Sequence, residues 1–251
     1  MSGAGPEQDD SETVRCEYAD EIGLSARTAL WARRSGLQPQ DVAFDEVVAA
    51  KPRRVLEVGC GRGEFAERLL QAGIEVVAVD QSPRMVELTA ARGADARIGD
   101  VQELPFAAAA FDAAVANFML YHVPRLDDAL SELARILRVG GRLIAATNGV
   151  RQLAELWELV GRDLSDRSRL FMRETGADLL RPHFADVRRI DLQSTVKLTS
   201  REMKEYVAHS VAHKHLAERV PDFPGARIVT TSSAVFVATA PEVGRRLTLN
   251  D

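Results

Sequence analysis

The sequence predicts an α/β fold built on a doubly wound, mostly parallel sheet. Three observations lead there. Short β-rich runs alternate with amphipathic helical stretches from about residue 53 onward. The first run, RRVLEV, passes into a turn with glycines at 59, 61 and 63, the kind of strand-to-helix connection that sits beside a nucleotide-like ligand. The second run, EVVAV, leads straight into Asp80, an acidic residue at a strand's carboxyl end.

Each element follows from its own pattern. Strands are expected at 53–58, 75–79, 95–98, 112–117 and 142–147. The first two are apolar on consecutive residues, as strands covered on both faces should be. EFAERLLQAG reads as a helix closed by Gly73. SPRMVELTAARG has Ser82 as N-cap and Pro83 in the first turn, and it stops at Gly93. RLDDALSELARILRVGG sets Leu126, Leu130, Leu133 and Leu137 on one helical face before Gly140 and Gly141 end it. The run Ala107 to Ala110 is a tight connection.

Beyond residue 150 the pattern loosens. GVRQLAELWELVGRDL reads as a helix whose apolar stripe includes Leu153, Leu156, Trp157 and Val160. RETGADLLRPHF is a shorter helix, and DVRRIDLQSTVKL is a long strand. SREMKEYVAHSVAHKHLAERV is helical with Ser200 as its N-cap. ARIVTTSSAVFVATA is the last strand.

With 251 residues the chain can bury a substantial core, and 46% hydrophobic and 27% charged residues are ordinary for a globular protein. A formal charge of −5 supplies no basic field for nucleic acid or an anionic membrane. Two cysteines, Cys16 and Cys60, are too few for a disulfide framework and suit a cytoplasmic setting. No apolar run approaches a membrane span, and MSGAGPEQDDSE lacks the order of a signal peptide. Residues 1–12 read as a flexible tail and 13–251 as a single domain.

The glycine turn narrows the ligand. Gly59 permits the sharp turn, and Gly61 lets a ligand approach the backbone without meeting a Cβ. Asp80 is placed to accept from ribose hydroxyls. A dinucleotide fingerprint would carry its third glycine where Glu64 stands, and an acidic side chain there is a poor neighbour for a pyrophosphate. That weakens a nicotinamide-dependent oxidoreductase.

EVGCGRG, VDQSPRMVELT, GDVQELPF, FDAAVANFMLYHV and LARILRVGGRLI stand in the order and spacing of class I S-adenosylmethionine-dependent methyltransferases. The chain resembles the small-molecule group of that family, whose core domain includes ubiquinone-type methylases. The likeness is strong over roughly residues 50–150 and holds only in outline elsewhere. It implies a Rossmann-like sheet of seven strands, the seventh antiparallel. It also implies S-adenosylmethionine as cofactor and S-adenosylhomocysteine as product. Glu57 and the turn from Gly59 through Gly61 to Gly63 would hold the methionine part, Asp80 the ribose with Gln81 beside it, and Met85 the adenine face. Asp100 would take the adenine amino group, the Val101 amide a ring nitrogen, and the Asn117 carbonyl the cofactor ammonium. Residues 13–48 would add helices covering the cofactor, with Tyr18 and Arg27 as candidates to reach the sulfonium and the carboxylate. The stretches 151–172 and 199–224 would be insertions on the acceptor side.

Plainer readings stand beside these. Asp80 and Asp100 also suit turn positions at strand ends, and Met85 also suits a core. Cys60 is a small filler, since its glycine neighbours leave it no base. His122, just past the fourth strand, has two roles open: general base toward an acceptor, or a residue that shapes the pocket. Glu205, His209 and His213 would share one face of a continuous helix, a metal-like spacing without a second cluster, so no metal is expected. Phe118, Tyr121, Trp157, Phe171 and Tyr206 suggest an apolar or aromatic small-molecule acceptor, although the same residues would serve a core. A methyltransferase-fold protein that binds without turnover is the alternative from another class.

Overall fold

A computed structural model describes residues 35–164, 170–210 and 213–242. The seven strands are β1 (Arg54–Val58), β2 (Glu75–Asp80), β3 (Asp95–Ile98), β4 (Phe111–Asn117), β5 (Leu137–Asn148), β6 (Asp186–Thr199) and β7 (Ala226–Thr239). They form one sheet in the order β3-β2-β1-β4-β5-β7-β6. All neighbours pair in parallel except β7, which runs antiparallel to both β5 and β6. This is the expected doubly wound arrangement, with its reversal of strand order between β1 and β4.

Strand alternation divides the core. Leu56, Val58, Val77, Val79, Leu143 and Phe236 face one side, under α4 (Leu126–Ile136) and α6 (Gly176–Leu180). Val55, Val76, Ala78, Val115, Ile144 and Val235 face the other, under α1 (Pro39–Ala49) and α2 (Glu64–Gln71). Helix α3 (Pro83–Ala91) packs along β2 and β3. Ser82 caps it as expected, its hydroxyl accepting from the Met85 amide at 3.4 Å. Gly73 and Gly93 end α2 and α3 at φ of 80° and 97°. Helix α4 stops at Ile136, one residue short of the expected face, because Leu137 already pairs with Phe111 as the start of β5.

The sheet is uneven at its antiparallel edge. β6 and β7 pair over 14 residues each, whereas β5 reaches β7 only as far as Ser233. Residues 193–199 and 226–232 therefore project past the carboxyl ends of the parallel strands. On this projection sits a third apolar cluster, including Leu153, Trp157, Leu198, Met203 and Val229. It is built from α5 (Ala154–Leu159), α7 (Ser200–Ala208) and a 3-10 turn at Lys214–Arg219.

Three expectations for this region are corrected. The long helix expected from residue 149 shrinks to α5, since Gly149 and Leu153 donate to the Ser232 and Thr230 carbonyls and hold the chain against β7. The N-cap of α7 is Thr199 rather than Ser200: its hydroxyl accepts from the Glu202 amide, while Glu202 accepts from the Thr199 amide at 2.8 Å. That helix ends at Ala208 with His209 as C-cap, so Glu205, His209 and His213 do not share one helical face.

Candidate functional site

The carboxyl ends of β1, β2 and β4 bring the expected site residues together. Glu57 lies beside Ala78 of β2 and Val115 of β4, and alternation aims Glu57, Asp80 and Asn117 at the same sheet face. From β1 the chain enters α2 through Gly59, Gly61 and Gly63, all left-handed at φ of 65°, 54° and 78°. A Cβ on Gly59 would lie 2.8 Å from Met119 Cγ, so the chain after β4 packs directly on this turn. A Cβ on Gly61 would meet nothing within 4 Å. The backbone at Gly61 thus borders open space that a ligand can enter.

Asp80 holds the turn in place. Its Oδ2 accepts from the Gly61 amide at 3.0 Å and its Oδ1 from the Ser82 amide at 2.9 Å. Burial raises the pKa of this carboxyl, and the same amides pull it back. Each oxygen keeps a second lone pair, so the clasp is compatible with ribose hydroxyls as further donors. Thr89, which sequence reasoning missed, completes the clasp from α3: its fully buried hydroxyl donates to the Gly61 carbonyl at 3.1 Å and lies 3.4 Å from Cys60 Sγ. The only signal was a polar residue at an inward helical position. Cys60 itself is buried, its thiol pushed up to about 12 chiefly by burial.

Glu57 is the electrostatic centre of the recess. It is 3% exposed, and burial, then the neighbouring Asp80 and Glu64, push its carboxyl up to about 8 against a hydrogen bond from Ala66. Its Oε2 has no hydrogen-bond partner among the described residues, and neither do Nδ2 and Oδ1 of Asn117. Leaving a carboxyl oxygen and a whole amide buried and unpaired costs about 1–3 kcal/mol per group. Such groups persist where a ligand completes them. A cationic, hydrogen-bonding amino-acid group fits this recess, since two carboxylates face it. A pyrophosphate does not: Glu64 opens α2, held 3.4 Å from Arg62 and 3.7 Å from Arg92.

The remaining candidates divide. Gln81 is exposed, with its backbone amide toward Asp80. Met85 is 1% exposed, within the interior. Asp100 turns its carboxylate to Gln102, accepting from the backbone amide at 2.9 Å and from Nε2 at 3.0 and 2.9 Å. Gln102 in turn accepts from the Arg125 amide at 3.0 Å, which ties this turn to the start of α4. Val101 is buried beside it. His122 closes a 3-10 turn (Leu120–His122), half-buried, its ring 4.4 Å from that of Tyr121. Tyr18 and Arg27 lie outside the described residues. Phe171 packs on Phe236 in the central core, 5.4 Å between rings, and is no lid residue. Trp157 and Tyr206, 6.2 Å apart, belong to the third cluster.

Known proteins share this architecture. A methyltransferase domain family matches residues 56–145. The chain is 32% identical over 173 residues to an uncharacterized methyltransferase of Mycobacterium tuberculosis, covering 66% of this chain and 68% of that one. It is 32% identical over 139 residues to a demethylmenaquinone methyltransferase of Renibacterium salmoninarum, 55% of each chain. Among solved structures, the YcgJ protein of Bacillus subtilis superposes with a TM-score of 0.60 at 16% identity, over 80% of this chain and 99% of that one, a likeness of fold. No helix among the described residues is long and apolar enough to cross a membrane.

Proposed function

We propose that this chain, which belongs to the methyltransferase family, uses S-adenosylmethionine to methylate the O, N or C of a small-molecule acceptor, apolar or aromatic in character. The observation that carries the cofactor half of this reading is the unpartnered set of Glu57 Oε2 and both Asn117 amide atoms beside the open backbone of Gly61. When bound there, S-adenosylmethionine would supply an activated methyl group: the acceptor's O, N or C would bond to the methyl carbon in line as the methyl–sulfur bond breaks and S-adenosylhomocysteine leaves.

The chain's residues then have definable tasks. Glu57 neutralises the cofactor ammonium, and Asn117 offers an acceptor beside it. Asp80 orients the ribose while keeping the glycine turn closed. Asp100 and the Val101 amide address the adenine, with Gln102 yielding the carboxylate on binding. Because the sulfonium is already reactive, alignment and exclusion of water are the protein's main contribution. His122, half-buried past the end of β4, takes the proton of a hydroxyl acceptor. The projecting hairpin with its α5 and α7 cluster forms the acceptor side, corresponding to the 151–172 and 199–224 insertions. A small-molecule acceptor is in keeping with the relative named for demethylmenaquinone.

Calorimetric titration with S-adenosylmethionine, S-adenosylhomocysteine and NAD tests the cofactor. Binding of the first two and not the third is expected. Binding of NAD alone would overturn the assignment. Incubation with methyl-labelled cofactor and an acceptor panel, read by mass spectrometry, tests turnover against binding alone.

A further inference from the structure

One face of the sheet carries a polar band between two apolar patches. On the face that bears α1 and α2, β2, β1 and β4 are apolar until their carboxyl ends and then change. β2 goes from Val76 and Ala78 to Asp80, β1 from Val55 to Glu57, and β4 from Val115 to Asn117. The change continues across the antiparallel edge. β5 goes from Ala146 to Asn148, and Asn148 pairs with Ser233 of β7. Along β7 the same face reads Val235, Ser233, Thr231, Val229, and along β6 it reads Leu192, Ser194, Val196. Val235 and Leu192 belong to the apolar patch under α1, while Val229 and Val196 belong to the cluster on the projecting hairpin. On β7 and β6 the polar residues thus stand between the two apolar clusters.

The two halves of the band differ in charge. Its β2–β1 end has two carboxylates, as a cationic cofactor requires. Its β5–β7–β6 end has only hydroxyls and an amide: Asn148, Ser233, Thr231 and Ser194. Ser194 is already engaged, its hydroxyl 2.9 Å from that of Ser35. Thr231 is not. It is 0% exposed, and its Oγ1 has no hydrogen-bond partner among the described residues. A buried threonine that served packing alone would do so better as valine, which keeps the shape without the unpaired hydroxyl.

We propose that this uncharged half of the band is the acceptor subsite, and that Thr231 and Asn148 select a neutral hydroxyl- or carbonyl-bearing acceptor over an anion or a cation. The proposal rests on the methyltransferase reading and deepens it. A floor whose strand residues, among those described, are an amide and hydroxyls offers no charge to compensate a charged head group. It can pair a neutral oxygen, for which a hydroxyl and an amide offer both donor and acceptor.

The test uses two scaffolds, each in three forms: 2-naphthol, 2-naphthoate and 2-naphthylmethylammonium, and 1-octanol, octanoate and octylammonium. Binding is measured on the full-length protein saturated with S-adenosylhomocysteine. At least one neutral member should bind tenfold or more tightly than its two charged counterparts. Thr231→Val should reduce that affinity fivefold or more, while Thr231→Ser retains it. Thr231→Val should also keep the parental cofactor affinity and an equal or higher Tm, because the hydroxyl makes no bond in the free protein. No preference for a neutral form, no binding by either neutral form, or a parental response in Thr231→Val overturns the proposal. Failure of the parent to bind S-adenosylhomocysteine at all would instead remove the methyltransferase reading beneath it.

Discussion

The glycine turn, beyond interior strand β1, and the projecting hairpin, at the β7–β6 edge of the sheet, are held by different forces. At the turn, hydrogen bonds set the geometry: Asp80 and Thr89 clasp Gly61 from both sides, while Glu57 and Asn117 are left with unmet polar atoms. On the hairpin an apolar cluster sets it, and most polar groups close on themselves. Glu155, its carboxyl held below the usual range despite some burial, takes the Thr230 amide at 2.9 Å and its hydroxyl at 2.5 Å. Gln152 accepts from the Ser232 amide, and Thr199 and Glu202 form a capping box. One end leaves buried polar atoms unpaired at the expense of stability, an arrangement suited to the charged cofactor proposed for it. The other is a small core of its own, free to vary in shape without disturbing the turn. On the proposed reading, cofactor binding and acceptor choice should therefore be separable by mutation.

The largest expected effect comes from the turn. Gly61→Val places a branched side chain in the ligand's space and in a left-handed conformation that valine resists. Titration should detect no S-adenosylmethionine binding. Leu198→Ala, in the hairpin cluster, should instead cost about 2–4 kcal/mol of stability and leave cofactor affinity near parental. If both variants lost the cofactor equally, the two ends would be one cooperative unit and the separation would fail.

His122 lies between the two ends, and its substitution assigns the chemistry. His122→Ala should lower turnover by ~10²-fold at saturating cofactor while leaving cofactor affinity intact. His122→Gln keeps a hydrogen bond yet cannot take a proton near neutrality, so it should be equally slow. A Gln variant at the parental rate would reduce His122 to a pocket residue and leave alignment as the whole mechanism.

Glu57 gives the turn a pH signature near neutrality. With its carboxyl near 8 in the free protein, it is largely protonated at neutrality, and a bound cation favours the carboxylate. Cofactor affinity should therefore rise between pH 6 and about 8, by up to ~10-fold per unit, and level off above. Stability of the free protein runs the other way. The folded state holds a proton that the unfolded chain loses near 4.5, so stability falls as pH rises from there to about 8. Glu57→Gln should flatten both profiles. A sloping profile in that variant would mean that another group carries the proton.

The same division explains what could be read from sequence. The turn end was legible because few residue types satisfy its backbone: glycines at left-handed positions, Asp80 at a strand end, Ser82 before Pro83. The hairpin end was not. The apolar stripe through Leu153, Leu156 and Trp157 looks helical in any register, and nothing local told that Gly149 and Leu153 would bond to β7, far along the chain. Ser200 and Thr199 are equally good caps in isolation; the reciprocal partner Glu202 decides between them. Likewise the polar band becomes visible only once strand order and register are known, since Asn117, Asn148 and Thr231 are widely separated in sequence. Thr89 was hidden for the same reason, its partner being a backbone carbonyl in another element.

Two threonines make the smallest and sharpest comparison. Each hydroxyl meets one backbone group and one side chain: Thr89 donates to the Gly61 carbonyl beside Cys60 Sγ, and Thr199 accepts from the Glu202 amide and donates to the Glu202 carboxylate. Thr89→Val and Thr199→Ala should each cost about 1 kcal/mol. The cost should appear in different places. Thr89→Val loosens the turn that the cofactor must meet, so S-adenosylmethionine affinity should drop about fivefold, and Thr89→Ser should restore it. Thr199→Ala frays the start of α7, so amide exchange should quicken there and in the 3-10 turn packed on it, with cofactor affinity unchanged. If Thr89→Val lowered only Tm, and Thr199→Ala lowered cofactor affinity, the hairpin would be gripping the cofactor and the turn would be ordinary packing.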